Sequence, residues 1–445
     1  MTMRGGPRLA AFLAALTVLA AGVGLCGCGA VTPRATVTVL GTWTGEEQER
    51  FENVLAAFEE RTGTRVEYEG TRDFEAVLAG RIDGGDPPDL ALMPSLGDLE
   101  QYARDGELVA LDGPSPSVDL GRVRREYQPT WLQAGVTAGP DGRARQYGLL
   151  VKGARKSLLW YSADAFSWPL PATLDELVAT GETIAATGTP PWCLGLRSSS
   201  DSGWPGTDWV EDILLHQSGA EAYRAWAQGR LPWTSDTVRT AWTTWGRLLA
   251  PGMVRGDATG ALLTRFGDAA TPMFDERPGC YLNLSGSFAS YQDSAGSPAT
   301  AAHVEFPSAG GERRIIIAGD ILAMFDHTSA AAELAEYLTG AEAQTAWARA
   351  GGTIAPNSAV TDYPDEATRQ LVRSVQEADC AGVVFDASDT MPAPMRTAFY
   401  RAVLEFVANP AALGTILTGL DEIRKRSYPA AAEAGAATPG TAPSC

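Results

Sequence analysis

Residues 36–58 read TVTVLGTWTGEEQERFENVLAAF, and two hydrophobic periods meet inside that stretch. Up to residue 40, Val37 and Val39 alternate with threonines, which is the period of a strand. Further on, Phe51, Val54, Leu55 and Phe58 recur at i, i+3, i+4 and i+7, which gathers them on one face of a helix. Between the two, Thr44-Gly45-Glu46-Glu47 has the form of a capping box, so the helix is expected to start there. The alternation continues with a strand at 65–69, a helix over 74–80, a short strand at 90–93 and a helix over 96–103. Strands and helices in this rhythm predict a parallel sheet covered by helices, because parallel neighbours need a crossover that a helix supplies. Ligands of such sheets sit beyond the carboxyl ends of the strands, which singles out the loops 41–44 and 93–96.

The whole chain has 445 residues, too many for one core, and two domains are expected. Its 54 acidic and 35 basic residues leave a net charge of −19 with no Lys/Arg-rich run. That balance excludes a nucleic-acid partner. The three histidines stand in no HExxH motif and no CxxC pair occurs, so neither a metal nor any other cofactor is expected.

At the start, MTMRGGPR carries Arg4 and Arg8 and no acid, and residues 9–25 are an apolar run. The run falls short of the roughly 20 residues a bilayer needs. It reads as an export signal over residues 1–27. The following Leu25-Cys26-Gly27-Cys28 resembles the bacterial lipobox, in which the cysteine becomes the acylated N-terminus. Cys28 is therefore the expected lipidation site, residues 28–34 the tether, and the extracellular face of the cytoplasmic membrane the expected location. Disulfides persist there, and Cys193, Cys280, Cys380 and Cys445 allow three full connectivities between which the spacing does not choose.

Residues 113–145 contain GPSPS and AGPDGRAR and read as a loop-rich crossing between domains. A strand-like run follows over 148–166, then mostly helical patterns at 171–186 and 210–249. IIIAGDILAMF (315–325) reads as two apolar strand segments broken by Gly319-Asp320, with helices over 330–350 and 365–378. The tail, 429–445, is of low complexity and expected to be disordered.

Seven of the twelve tryptophans fall between Trp160 and Trp233. An indole serves a core or a flat polar ligand equally well, and most of these are expected in the core. Gly203-Trp204-Pro205-Gly206-Thr207-Asp208-Trp209 stands apart, since it reads as a bent loop placing Trp204 and Trp209 beside an acid ahead of a helix. Sugars suit that chemistry: their C–H faces stack on rings while their hydroxyls pair with carboxylates and ammonium groups. Thr44, Lys152, Asp208 and Asp320 are the candidate polar partners at loop ends.

Taken with the lipobox, the opening strand and helix, GDPPDLALMP (85–94) and IIIAGDILAMF, the chain resembles the extracellular solute-binding proteins of ABC importers, the family of maltose-binding protein. PPWCLGL (190–196), GWPGTDWVEDILL (203–215), FGDAATPMFDERPGC (266–280) and FDASDTMPAP (385–394) are similar to the alpha-glucoside-binding lipoproteins within it. The resemblance implies an α/β, two-lobed type II periplasmic-binding-protein fold, each lobe a mostly parallel sheet flanked by helices, with a hinge of two or three crossing segments. It assigns 35–150 and 313–357 to the N-lobe and 151–312 and 358–428 to the C-lobe. Cys193 and Cys280 then share a lobe, as cysteines do at matching positions of the relatives, which implies a disulfide between them. It places Trp43, Thr44, Trp204, Asp208, Trp209, the Gly286-Ser287 loop and Gly319-Asp320 around the cleft. SSSDSGW (198–204) departs from the relatives, which tend to carry a Glu near its front. The implied function is capture of an alpha-glucoside or related oligosaccharide by a monomer and its delivery to the permease subunits. The competing readings are a receptor for another solute or a sensor, and a lipid-anchored glycoside hydrolase. The last requires two carboxyls about 5–9.5 Å apart, which no motif here positions.

Overall fold

The computed structural model describes residues 34–113, 118–289, 291–308, 313–378 and 382–428. The signal segment 1–27, Cys28, Cys380 and the tail 429–445 lie outside the described residues.

The opening stretch folds as its periods require. Strand β1 (Thr36–Gly41) leads into α1 (Glu46–Thr62), which buries Phe51, Val54, Leu55 and Phe58. The capping box does not form: Gly45 is the cap residue, no side chain caps the helix, and Glu47 is drawn away to Lys152. Strand β2 (Arg65–Gly70), α2 (Phe74–Asp83), β3 (Leu90–Met93) and α3 (Leu96–Asp105) follow, and β1 pairs in parallel with both β2 and β3.

Helices α4 (Leu120–Glu126) and α5 (Pro129–Gln133) and the hairpin β4 (Val136–Ala138)–β5 (Ala144–Gln146) occupy what read as a crossing loop. Val118, Leu120, Val123 and Trp131 anchor this region in the first core, so it crosses nothing. The crossing comes after β6 (Gly148–Arg155), where Ser157 takes a left-handed φ of 64° before β7 (Leu158–Ser162).

The second lobe contains α6 (Leu174–Ala185), α7 (Trp204–Ala227, kinked at Gly219), α8 (Asp236–Leu248), α9 (Asp257–Leu263), β8 (Leu282–Ser285) and β9 (Ala301–Glu305). Both β8 and β9 pair with β7 in the antiparallel sense, where mostly parallel pairing was expected. The four helices α6–α9 lie between β7 and β8 and the 286–300 segment between β8 and β9, and both strands come back against β7 running the opposite way. Parallel bridges from Trp192 to Leu282 and to Val254 extend this sheet. Trp192, Trp226, Trp233, Trp242 and Trp245 fill its core.

The chain returns in β10 (Ile315–Met324), then α10 (Ser329–Leu338), α11 (Ala341–Ala350), α12 (Glu366–Gln376) and β11 (Val383–Phe385). Strand β10 is continuous through Gly319-Asp320, with a register shift after Asp320 in place of the expected break. It runs antiparallel to β3 and β6 and parallel to β11, giving the order β11-β10-β3-β1-β2 with β6 on β10. Val360, Tyr363, Val372 and Val375 pack into the first core, whereas residues 358–378 were expected with the second. The two faces of β11 touch both cores, Val383 and Phe385 the first and Val384 the second, and from Ala387 onward the chain packs in the second. Helices α13 (Ala387–Thr390), α14 (Ala393–Ala408) and α15 (Leu413–Ser427) complete the second lobe. The result is the two-lobed α/β architecture, with crossings after Arg155, between Phe306 and Ile315, and after Phe385. Cys193 and Cys280 form a disulfide with a Cα–Cα distance of 5.4 Å. Among the described residues, no helix is long and apolar enough to cross a membrane.

Candidate functional site

A cavity of about 430 Å³ lies between the lobes, lined by residues of both. Its floor is the pairing of β6 with β10: Lys152 opposite Asp320, Gly153 opposite Gly319, and Ala154 opposite Ala318. Val151 is left out of this register, and a bulge of that kind re-aims the side chains that follow it. Gly319 is required by a close approach, since a Cβ there would lie 2.6 Å from the Lys152 carbonyl oxygen.

On the first lobe's wall, the Trp43 indole N–H donates to Asp320 Oδ2 at 3.2 Å. Lys152 pairs with Glu47 and stands 3.8 Å from Asp320, with its ammonium 5.2 Å from the Trp43 ring centroid. Trp43 is wedged edge-on against Trp347 and Phe51 and is only 2% exposed, so this wall offers charged and hydroxyl groups more than ring surface. Burial pushes Asp320 up to about 6, with Lys152 opposing. Glu47 is partly buried too, but Lys152 and Arg72 hold it below the usual carboxylate range. Arg72 also donates to the Thr44 hydroxyl at 3.2 Å.

The opposite wall starts from a helix rather than a loop. Gly203, at a φ of 113°, packs on the Tyr400 carbonyl and precedes α7, whose second residue is Pro205. Proline is pre-set for a first helical turn, which explains why a Gly/Pro-rich stretch here is helical. One turn apart, Trp204 and Asp208 then share a face, while Trp209 is turned away from it. Trp209 is 3% exposed, packs edge-on against Trp192 and Phe306, and does not line the cavity. The loop reading of this segment is therefore corrected, and Trp209 belongs to the core.

Lys156 organises this wall. Its ammonium contacts Asp208 at 2.9 and 3.0 Å and Asp386 at 3.0 Å, and lies 4.8 Å from the Trp204 ring centroid. Burial raises Asp208 to about 7 even with Lys156 beside it, the Asp386 charge adding to the rise. Against the same burial, Lys156 and the Ser388 hydroxyl hold Asp386 below its ordinary value. Phe266 packs against Trp204 with centroids 5.0 Å apart, and Phe288 lies 6.2 Å away. Trp204 itself is half-buried and keeps ring surface open to the cavity.

The lobes touch directly at the ends of the cleft. Arg396 of α14 is 2% exposed and bonds to Asp98 of α3 at 2.8 and 3.0 Å, and also to Ser95 and Glu75. Elsewhere the Ser200 hydroxyl donates to the Arg72 carbonyl at 3.3 Å.

Of the nine candidates, Trp43, Thr44, Lys152, Trp204, Asp208, Gly319 and Asp320 line this one cavity. Ser287 does not: its hydroxyl accepts from the Arg155 N–H at 3.1 Å and its own N–H donates to Arg155, pinning the loop to the first crossing. Sequence reasoning passed over Lys156, Asp386, Arg396, Phe288 and Trp347, all of which line the cavity. Only Lys156 had a usable signal, since residues 152, 154 and 156 share one face of a strand. The others reach the cavity from remote segments.

A family model described as "Bacterial extracellular solute-binding protein" matches residues 53–371. The osmoprotective compounds-binding protein GgtB of Synechocystis sp. is 34% identical over 388 residues, covering 84% of this chain and 89% of GgtB. The alpha-glucosides-binding periplasmic protein AglE of Rhizobium meliloti is also 34% identical, over 57% of this chain and 56% of AglE. Among solved structures, the bacterial solute receptor AcbH superposes with a TM-score of 0.75 at 17% identity, covering 89% of this chain and 100% of AcbH, a likeness of fold. The chain belongs to the bacterial extracellular solute-binding proteins, receptors that capture a solute without making or breaking its bonds.

Proposed function

We propose that this chain is the sugar-capturing receptor of an ABC importer, enclosing an alpha-glucoside or a related oligosaccharide between its lobes and handing it to the permease subunits. Acyl chains on Cys28 hold it at the extracellular face of the cytoplasmic membrane, and it works as a monomer. The observation that carries the reading is Trp204, a half-open ring with the Lys156 ammonium 4.8 Å from its centroid and Asp208 one turn along the same helix. A ring face beside a fixed pair of opposite charges meets the two surfaces of a pyranose, its C–H face and its hydroxyl rim. The name of AglE, an alpha-glucosides-binding protein, agrees with a neutral polyhydroxylated ligand. Ligand touching both lobes favours closure, because only the closed form offers both sets of contacts.

The test is calorimetric and tryptophan-fluorescence titration of a soluble form beginning at residue 29 with maltose, trehalose, sucrose, palatinose, cellobiose, xylobiose and polyols. Saturable binding of an alpha-glucoside, at a Kd on the order of micromolar, is the expected result. A folded protein that ignores the whole panel would refute it.

A further inference from the structure

Resting on the sugar-receptor reading above, we infer that the cleft measures its ligand along β6 and takes a two-unit glycoside: one sugar ring at the Trp204 end, and a second hydroxyl-rich unit at the Lys152 end.

The argument starts from spacing. Lys152, Ala154 and Lys156 lie on one face of an extended segment, and the Lys156 N–H still pairs with the Ile316 carbonyl at 2.9 Å. Four residues of strand put the two lysines about 13 Å apart at their Cα atoms. Between them, the floor is Gly153, Ala154, Ala318 and Gly319, with no side chain larger than a methyl. That low floor leaves a trough whose two ends are chemically marked, and a single pyranose is too short to engage both.

The ends are unlike. At Lys156, ring surface is open, from Trp204 and Phe288. At Lys152, Trp43 and Trp347 are 2% and 3% exposed, and Asp320, Glu47 and the Thr44 hydroxyl face the cavity in their place. Stacking therefore favours a ring at one end, whereas hydrogen bonding at the other recognises hydroxyls. The same charges argue for a neutral ligand. Lys152 is held by Glu47 and Asp320, Lys156 by Asp208 and Asp386, Arg72 by Glu47, and Arg396 by Asp98 and Glu75. An anionic ligand would lose its hydration and find these cations already engaged.

A length series decides the matter, using glucose, methyl alpha-glucoside, the alpha-linked glucose disaccharides, maltotriose and maltotetraose, titrated into the protein and into its Asp320→Asn variant. The expected result is tightest binding by a disaccharide, with glucose and the methyl glycoside at least thirtyfold weaker and maltotetraose at least tenfold weaker. Asp320→Asn should weaken the disaccharide at least tenfold and the methyl glycoside several-fold less. Binding of glucose within threefold of the best disaccharide, affinity that keeps rising up to the tetramer, or equal losses for disaccharide and methyl glycoside in Asp320→Asn would each overturn the two-unit inference while leaving the sugar-receptor reading intact. Silence of a folded protein to every sugar would overturn both.

Discussion

The Lys156 ammonium lies 4.8 Å from the centroid of the Trp204 ring, although Lys156 stands at the first crossing and Trp204 opens a helix of the second lobe 48 positions later. Lys156 is placed by the end of the β6 strand and Trp204 by the first turn of α7. Asp208, on the same helical face as Trp204, completes the contact by accepting from Lys156 with both oxygens. The ring, the cation and the anion thus form one contiguous unit.

That unit gives the first prediction. Trp204→Ala and Asp208→Ala should each weaken sugar binding at least tenfold, measured by calorimetry, with far-UV circular dichroism unchanged. Trp209→Phe should do the reverse, lowering stability by about 1–3 kcal/mol while moving affinity less than threefold, because Trp209 packs in the core. Equal affinity losses in Trp204→Ala and Trp209→Phe would refute the division between the two faces of the helix.

A second prediction concerns pH. Asp208 at about 7 and Asp320 at about 6 are both raised above the ordinary aspartate value by burial. Between pH 4 and 7 the folded protein therefore binds more protons at these sites than the unfolded chain, and stability falls as pH rises through that window. Burial lowers His216 to about 4 and lowers His303 as well, which works in the opposite sense below pH 6.5, but the buried carboxyls of Glu211, Asp212 and Asp389 are raised by burial and add to the fall, while Glu47 and Asp386, held low, act only below the ordinary carboxylate range. The melting temperature is expected to be higher at pH 5 than at pH 8, and Asp208→Asn should flatten the difference. A wild-type melting temperature that climbs steadily from pH 5 to pH 8 would contradict this.

The disulfide supplies a third. Cys193 and Cys280 close a chain segment with a sequence separation of 87, and a link of that span restrains the unfolded chain by roughly 2–5 kcal/mol. Urea titration with and without reductant should show a loss of that order. The same loop carries Phe266 and Ala270 to the cavity, so affinity should fall as well. Identical curves under both conditions would show that the link is not formed in solution.

Arg396 gives the last. Removing a buried guanidinium leaves Asp98 desolvated and unpaired, and Arg396→Met is expected to cost about 3–5 kcal/mol by chemical denaturation. Adding Asp98→Asn should recover a substantial part, because the orphaned charge goes with it. Simple additivity of the two losses would mean that the pair does not couple the lobes.

Much of the fold was legible because burial writes periods into a chain. Phe51, Val54, Leu55 and Phe58 announced α1, and the apolar runs at 90–93 and 315–325 announced the central strands. The errors occurred where local signals competed with partners far away. Glu47 matched a capping box but pairs with Lys152, and Gly319-Asp320 looked like a break but sits at a bulge in a paired strand. Helix α12 was expected with the second lobe, and it packs on both, Val372 and Val375 in the first core and Leu371 beside Cys193 and Cys280, because an amphipathic face says that a helix packs without saying on what.

The sequence by itself determined that the chain alternates strands and helices over a length that needs two cores, that its charge balance is acidic, and that Trp43, Thr44, Lys152, Trp204, Asp208 and Gly319-Asp320 are candidates for a site. Tertiary structure alone decided that Trp204 faces the cleft while Trp209 faces the core, since one helical register separates them by rotation. It also decided that Lys156, Asp386 and Arg396 join the site. Periodicity is a local property of neighbouring residues, whereas a cleft is made by residues hundreds of positions apart, brought together only when both cores have formed.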